Sequence, residues 1–209
     1  MEISVSFLKS KYPIDEQIEI LNKSNCDLIH VDFMDGTFVD NKSLTLEDMH
    51  LEKFTKPLEI HLMVDNPREY IENLDISNIE YIIVHSEIDK DINELLDLIK
   101  SYNVKCGLSI KPNTDISILT PYLNKLDLIL VMSVEPGFSG QEFISNSLDR
   151  VSKLKQIIKN NNLDIVMAID GGINGSNASL VKKSGIDMVV SGSYVTNSLD
   201  YQDKINDLR

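Results

Sequence analysis

The chain has 209 residues, 42% of them hydrophobic and 25% charged, which is enough for one well-buried domain and short for two. Its net charge of −13 speaks against a nucleic-acid or anionic-membrane surface, because both demand clustered Lys and Arg. No uncharged apolar run approaches the ~20 residues of a membrane helix, and the opening "MEISVSFLKSKYP" has no basic leader followed by an apolar segment. Cys26 and Cys106 form no metal or redox spacing, so a reducing compartment, the cytoplasm, is expected.

Along the chain, short β-rich runs recur at 3–8, 28–33, 58–64, 81–86, 104–110, 128–134, 165–170 and 188–193. Charged segments of helical spacing lie between them. "IDEQIEILNKS" places Ile14, Ile18 and Leu21 on one face, and "DINELLDLIKS" does so with Ile92, Leu95, Leu96 and Ile99. The segment 146–160 repeats the pattern with Leu148, Val151, Leu154 and Ile158. Strands alternating with helices imply βαβ units and a parallel sheet, with no linker dividing residues 1–209. Eight units point to a single α/β domain, a (β/α)8 barrel, with short loops because the fold typically takes ~250 residues. An open doubly wound sheet is the rival architecture.

A barrel makes a further demand: polar residues should gather at the C-terminal ends of its strands. In "IHVDFMDG", residues 29–36, His30 and Asp32 interrupt an apolar run two positions apart, and side chains two apart on a strand share a face. Met34 shares that face, while Val31 and Phe33 point the other way. His61 closes the third run, His85 the fourth and Asp170 the seventh. Each alone could be an isolated polar residue at a strand-to-loop junction, and for His85 that bland explanation is as good as any other. His30, Asp32, His61 and Asp170 together form an N/O ligand set for one divalent transition metal, with Zn, Fe(II), Mn and Co all compatible.

"DGGING" (170–175) follows the seventh run and "SGSYV" (191–195) the eighth. In many barrels these two loops hold a phosphate through backbone N–H groups, although tight turns alone would also use glycine. "EPGFSGQ" (135–141), after the sixth run, has the composition of a lid, or of a plain loop.

The motifs "IHVDFMDGTFV", "EIHLMV", "MSVEPGFSGQEF", "IDGGI" and "VSGS", in this order and spacing, resemble the ribulose-phosphate 3-epimerase family over essentially the whole chain. That resemblance implies a (β/α)8 barrel interconverting D-ribulose 5-phosphate and D-xylulose 5-phosphate, usually with one bound divalent metal per subunit, in a homo-oligomer. It implies that His30, Asp32, His61 and Asp170 bind the metal and that Asp32 and Asp170 are the acid/base pair. It also implies that Ser6 touches substrate and that His61, Gly137, Phe138, Ser139, Gly140, Asp170, Gly171, Gly172, Gly192 and Ser193 line the substrate and its phosphate. Met34, Met63 and Met132 read as ordinary core by pattern; the resemblance makes them walls of the site. The sequence departs from the family at Lys9-Ser10-Lys11, at Val39-Asp40-Asn41, where a proline is missing, and in "NKSLTL", where a glycine is missing. A longer ketose phosphate such as D-allulose 6-phosphate would use near-identical motifs. A non-catalytic sugar-phosphate or metal-binding barrel would have no need of two opposed carboxylates.

Overall fold

The computed structural model describes residues 1–7 and 12–209. Eight parallel strands close into a barrel in sequence order: β1 Glu2–Ser6, β2 Leu28–Met34, β3 Leu58–Met63, β4 Ile79–His85, β5 Lys105–Ile110, β6 Leu128–Met132, β7 Val166–Asp170 and β8 Met188–Ser191. β1 pairs with both β2 and β8, so the sheet has no open edge. The closure rules out the doubly wound alternative. The departure at Lys9-Ser10-Lys11 lies outside the described residues.

The described residues form seven α-helices around it: α1 Ile14–Lys23, α2 Pro67–Asn73, α3 Ile92–Ser101, α4 Ser147–Asn160, α5 Ala178–Lys183, α6 Ser193–Thr196 and α7 Tyr201–Asp207. α3 shows why such segments are helical. The Asp91 carboxylate accepts from the backbone N–H of Asn93 (2.8 Å) and Glu94 (3.3 Å), satisfying two orphan donors of the first turn. Ile92, Leu95, Leu96 and Ile99 then form one buried face. Two crossovers carry 3-10 turns in place of an α-helix, at Leu51–Lys53 after β2 and Ile116–Tyr122 after β5. Pro121 sits inside the second and removes a donor that an α-helix would use.

Strand parity sorts the core into two layers. Ile29, Val31 and Phe33 of β2, with Leu58, Ile60 and Leu62 of β3, point outward into the layer beneath the helices. The other parity faces the lumen. There Leu128, Leu130 and Met132 of β6, Ala168 of β7, and Met188 and Val190 of β8 pack together. On the β1–β4 side Leu28, Tyr81 and Ile83 join that apolar cluster, and the polar lumen-facing positions are Ser4, Ser6, His30, Asp32, Glu59, His61 and His85, all buried. One parity rule thus places nearly every polar side chain of the strands inside the barrel.

Candidate metal centre and active site

His30 and His61 do not close their strands. Each sits mid-strand, one pleat below the mouth, and reaches the site because its parity is inward. The β2–β3 register sets Asp32 beside His61. The β6–β7 register sets Met132 beside Asp170, the last residue of β7.

The resulting cluster is tight. His30 Nε2 lies 3.1 Å from Asp32 Oδ1, 3.3 Å from His61 Nδ1 and 4.0 Å from Asp170 Oδ2. His61 Nδ1 lies 3.0 Å from Asp32 Oδ1. One donor atom from each of the four residues falls within 4.8 Å of the other three. Ser6 Oγ donates to the remaining Asp32 oxygen at 2.8 Å.

Electrostatics asks for positive charge here. Burial opposes charge on His30, yet the hydrogen-bonded carboxylates of Asp32 and Glu59 raise it well above the usual imidazole range. Burial also opposes ionisation of Asp32, but His30 and His61 hold it well below the usual carboxylate range. Burial pushes Asp170 up to about 6, the nearby Asp32 charge adding and the histidines opposing.

These donors fit a divalent cation. The carboxylate of Glu59 only accepts, so His30 Nδ1, 3.0 Å away, must donate to it. A neutral His30 then turns its Nε2 lone pair toward the lone pairs of Asp32 Oδ1. Something positive must lie between such atoms. A proton on His30 is one solution; a metal ion shared by two imidazoles and two carboxylates is the other.

Above the cluster opens a cavity of about 290 Å³. Asp32, Asp170 and Ser6 form its floor, and Met34, Met63 and Met132 line its sides. Its far wall runs through Gly171, Gly172, Gly192 and Ser193. The segment 135–141 covers it, with Gly137, Phe138, Ser139 and Gly140 all lining the space. The amide of Gln141 donates to the carbonyls of Glu135 (2.6 Å) and Phe138 (2.8 Å), and Asn41 donates to Gly137 O (2.6 Å). Asn41 belongs to one of the segments that depart from the family, and it ties the loop after β2 to the loop over the cavity. Phe138 remains 57% exposed.

The glycines after β7 have a packing reason that sequence does not show. Gly171 has φ +119° and Gly172 φ +66°, both in the region that favours glycine. A Cβ on Gly171 would collide with Val134, and one on Gly172 would lie 2.6 Å from Phe143 N. Ser133 Oγ donates to the carbonyls of Asp170 (2.8 Å) and Gly171 (2.7 Å). Asn177 Nδ2 donates to Gly172 O at 2.9 Å. Gly192 differs: a Cβ there would meet nothing closer than 3.6 Å, at Ser6.

Sequence reading missed Glu59, which accepts from Ser4 Oγ (2.7 Å) and His30 and is fully buried. The signal was present: Glu59 precedes His61 by two, as His30 precedes Asp32. His85, at the end of β4, is no isolated polar residue. Its Nε2 lies 2.9 Å from His61 Nε2 and its Nδ1 3.1 Å from Glu87 Oε2. Burial drives His85 down to about 4, which keeps it neutral at pH 7. Glu87 is held at about 2: burial opposes this, and hydrogen bonds from His85, Thr114 and the Lys111 N–H prevail.

A closed barrel with a His2Asp2 cluster that could hold a metal ion, under a glycine-rimmed cavity at its C-terminal mouth, is the architecture of a barrel enzyme. Comparison with known proteins narrows the class. The model of the ribulose-phosphate 3 epimerase family matches residues 2–196, and the chain belongs to that family. It is 39% identical to the ribulose-phosphate 3-epimerase of Helicobacter pylori (strain J99) over 186 residues, covering 87% of this chain and 85% of the relative. It is 31% identical to the Bacillus subtilis enzyme of the same name over 215 residues, covering 100% and 98%. Among solved structures, a mutant tryptophan synthase α-subunit from Pyrococcus furiosus superimposes with a TM-score of 0.75 at 14% identity, covering 99% and 96% of the two chains. The 3-hexulose-6-phosphate synthase of Salmonella typhimurium gives 0.71, also at 14% identity, covering 100% and 96%. At such identity these structures speak for the fold alone. Among the described residues, no helix is long and apolar enough to cross a membrane. Cys26 and Cys106 are both free of disulfides and buried.

Proposed function

We propose that this chain is a ribulose-phosphate 3-epimerase that interconverts D-ribulose 5-phosphate and D-xylulose 5-phosphate through a 2,3-enediolate. The single observation that carries this reading is two carboxylates, Asp32 from β2 and Asp170 from β7, brought to one donor cluster on the cavity floor. Their surroundings push them apart, Asp32 toward the ionised form and Asp170 up to about 6. Such a pair suits a base and an acid that exchange roles.

Epimerisation removes the proton at C3, α to the C2 carbonyl, and returns one to the opposite face. In our reading one aspartate takes the proton on its own side of the flat enediolate and the other delivers one from across it; the reverse reaction swaps them. His30, Asp32, His61 and Asp170 would hold one divalent ion, with Zn, Fe(II), Mn or Co all suited to the set. Such an ion would supply Lewis-acid stabilisation of the negative charge that develops as the C3 proton leaves. Ser6 holds Asp32 in place. Met34, Met63 and Met132 exclude water from the enediolate. The phosphate would rest on the backbone of Gly171, Gly172, Gly192 and Ser193, with no cationic side chain required. Substrate would be closed in beneath Gly137, Phe138, Ser139 and Gly140. The reading includes a single catalytic domain over 1–209, a cytoplasmic location and assembly into a homo-oligomer.

The test uses turnover and isotope exchange. Chelation should abolish interconversion and a divalent ion restore it, with the pentulose phosphates outpacing allulose 6-phosphate. Asp32→Asn and Asp170→Asn should each lower interconversion by on the order of 10²–10⁴-fold. Residual exchange of the C3 hydrogen with deuterated solvent should be confined to one epimer, a different one for each variant, with metal content measured in parallel. A metal-replete variant that still epimerises and retains substrate deuterium in product would point to a single shuttling base and overturn the assignment.

A further inference from the structure

The geometry points to His85 and Glu87 as positioning residues that set the tautomer of His61 and so hold its Nδ1 lone pair toward the metal cluster. This rests on the metal-site reading above.

Glu87 Oε1 accepts from the Lys111 N–H (2.7 Å) and from Thr114 Oγ1. Arg150 Nη2 in turn donates to Thr114 O at 2.7 Å, which anchors that loop to α4. Glu87 Oε2 is left to face His85 Nδ1 at 3.1 Å, and a carboxylate can only accept. The proton of His85 therefore sits on Nδ1. Its Nε2 is then a lone pair, 2.9 Å from His61 Nε2. Complete burial favours the singly protonated His85 ring, and with that ring the contact is satisfied when His61 Nε2 carries the proton and donates. His61 Nδ1 is thereby unprotonated, and it is the atom that lies among Asp32 Oδ1 (3.0 Å) and His30 Nε2 (3.3 Å). The two rings meet edge to edge, 4.9 Å between centroids and 26° between planes, and Phe38 packs against His85 at 4.8 Å.

His30 gains the same service from Glu59 directly. His61 gains it across an intervening ring, which carries the preference from a carboxylate on the β4 loop to a ligand atom on β3. Groups that fix a ligating histidine in this way commonly govern metal affinity by about 10–100-fold.

Zinc affinity, measured by competition with a chromophoric chelator, tests this in four full-length chains: wild type, Glu87→Gln, His85→Leu and His85→Gln. The glutamine at position 87 must either turn its amide nitrogen to His85 Nδ1, which reverses the whole chain of donors, or turn it to the Lys111 N–H, which has then lost its acceptor. Affinity should fall about 10–100-fold in Glu87→Gln and in His85→Leu. His85→Gln should keep wild-type affinity, because an amide offers an acceptor to His61 and a donor to Glu87 at imidazole-like spacing. Nitrogen-15 spectra of the zinc-loaded wild type and His85→Gln should show His61 with its proton on Nε2. Thermal melts of the chelated chains establish that each variant folds; if Glu87→Gln does not, the two His85 variants decide. Wild-type affinity in a folded His85→Leu, or equal loss in His85→Gln and His85→Leu, overturns the inference while leaving the metal site standing. A wild-type chain that binds no zinc, manganese, cobalt or iron(II) overturns the metal site and this inference with it.

Discussion

The lumen of this barrel has two unlike halves. The β1–β4 side carries Ser4, Ser6, His30, Asp32, Glu59, His61 and His85, every one of them buried, above the apolar Leu28, Tyr81 and Ile83. The β6–β8 side carries Leu128, Leu130, Met132, Ala168, Met188 and Val190, an apolar wall interrupted only at its rim by Asp170. The difference teaches how one small barrel can hold charge and stay dry. Buried charges are tolerable only when paired and hydrogen-bonded, so they are grouped where each finds the next. The apolar half supplies packing and lowers the local dielectric, which strengthens every interaction across the lumen.

Paired truncations should break the comparison if it is wrong. Glu59→Ala strips the acceptor from His30 Nδ1 and Ser4 Oγ, both buried. Removing one member of such a pair should cost about 3–5 kcal/mol. Leu130→Ala, in the fully buried apolar half, should cost about 2–5 kcal/mol through its cavity. The stability losses are comparable, but their functional consequences should differ. Denaturant unfolding of chelated chains, followed by zinc titration, should show binding weakened in Glu59→Ala and preserved in Leu130→Ala. Equal loss of zinc in both would mean that the halves are not separate in function.

The same division explains what could be read from sequence. The barrel was legible because apolar runs alternate with amphipathic segments such as "DINELLDLIKS", whose buried face is Ile92, Leu95, Leu96 and Ile99 as its spacing requires. His30 and Asp32 were legible because a His and an Asp two apart on a strand must share a face, and His61 and Asp170 because each is polar in an otherwise apolar run. Glu59 obeys the same parity but stands next to apolar neighbours in "LEIHLMV", where a glutamate passes for a solvent-facing residue. The pair His85 and Glu87 stands two apart in sequence, but its link to His61 on β3 was not legible, because that contact crosses between strands 24 residues apart. The glycines after β7 were read for an anion, but their conformations answer to Val134 and Phe143, residues far from them in sequence.

The polar half should also reveal itself on acidification. His85 is driven down to about 4, against about 6.5 in an unfolded chain. Between those values the unfolded chain takes up a proton that the folded chain refuses, so stability falls as pH drops through the window. Asp170, raised to about 6, has the opposite sign, since the folded chain takes up its proton first. The two contributions offset, and only a difference measurement separates them. Relative to wild type, His85→Gln should gain about 2 kcal/mol of stability on going from pH 7 to pH 5, because the refused proton no longer exists. Chelated chains unfolded by urea at both pH values give the comparison. A pH-independent difference would mean that His85 titrates normally in the folded chain.

The smallest effect sharpens the boundary between the halves, where the β7 and β8 turns meet the cavity. Gly172 and Gly192 both line it, but they are glycines for different reasons. Gly172 has φ +66°, and a Cβ would press on the backbone of Phe143. Gly172→Ala should therefore lower the melting temperature and disturb the loop over the cavity, and any change in KM would be confounded with that movement. Gly192 has φ −98°, and its nearest prospective neighbour is Ser6 at 3.6 Å, an ordinary contact. Gly192→Ala should fold with an unchanged melting temperature, since its methyl would make only ordinary contacts with Ser6. If the phosphate rests on the Gly192–Ser193 backbone, that methyl occupies room the anion needs. KM for ribulose 5-phosphate should rise several-fold while kcat holds, the pattern of lost uniform binding. An unchanged KM together with an unchanged melting temperature would move the phosphate away from β8 and leave the β7 turn as its seat.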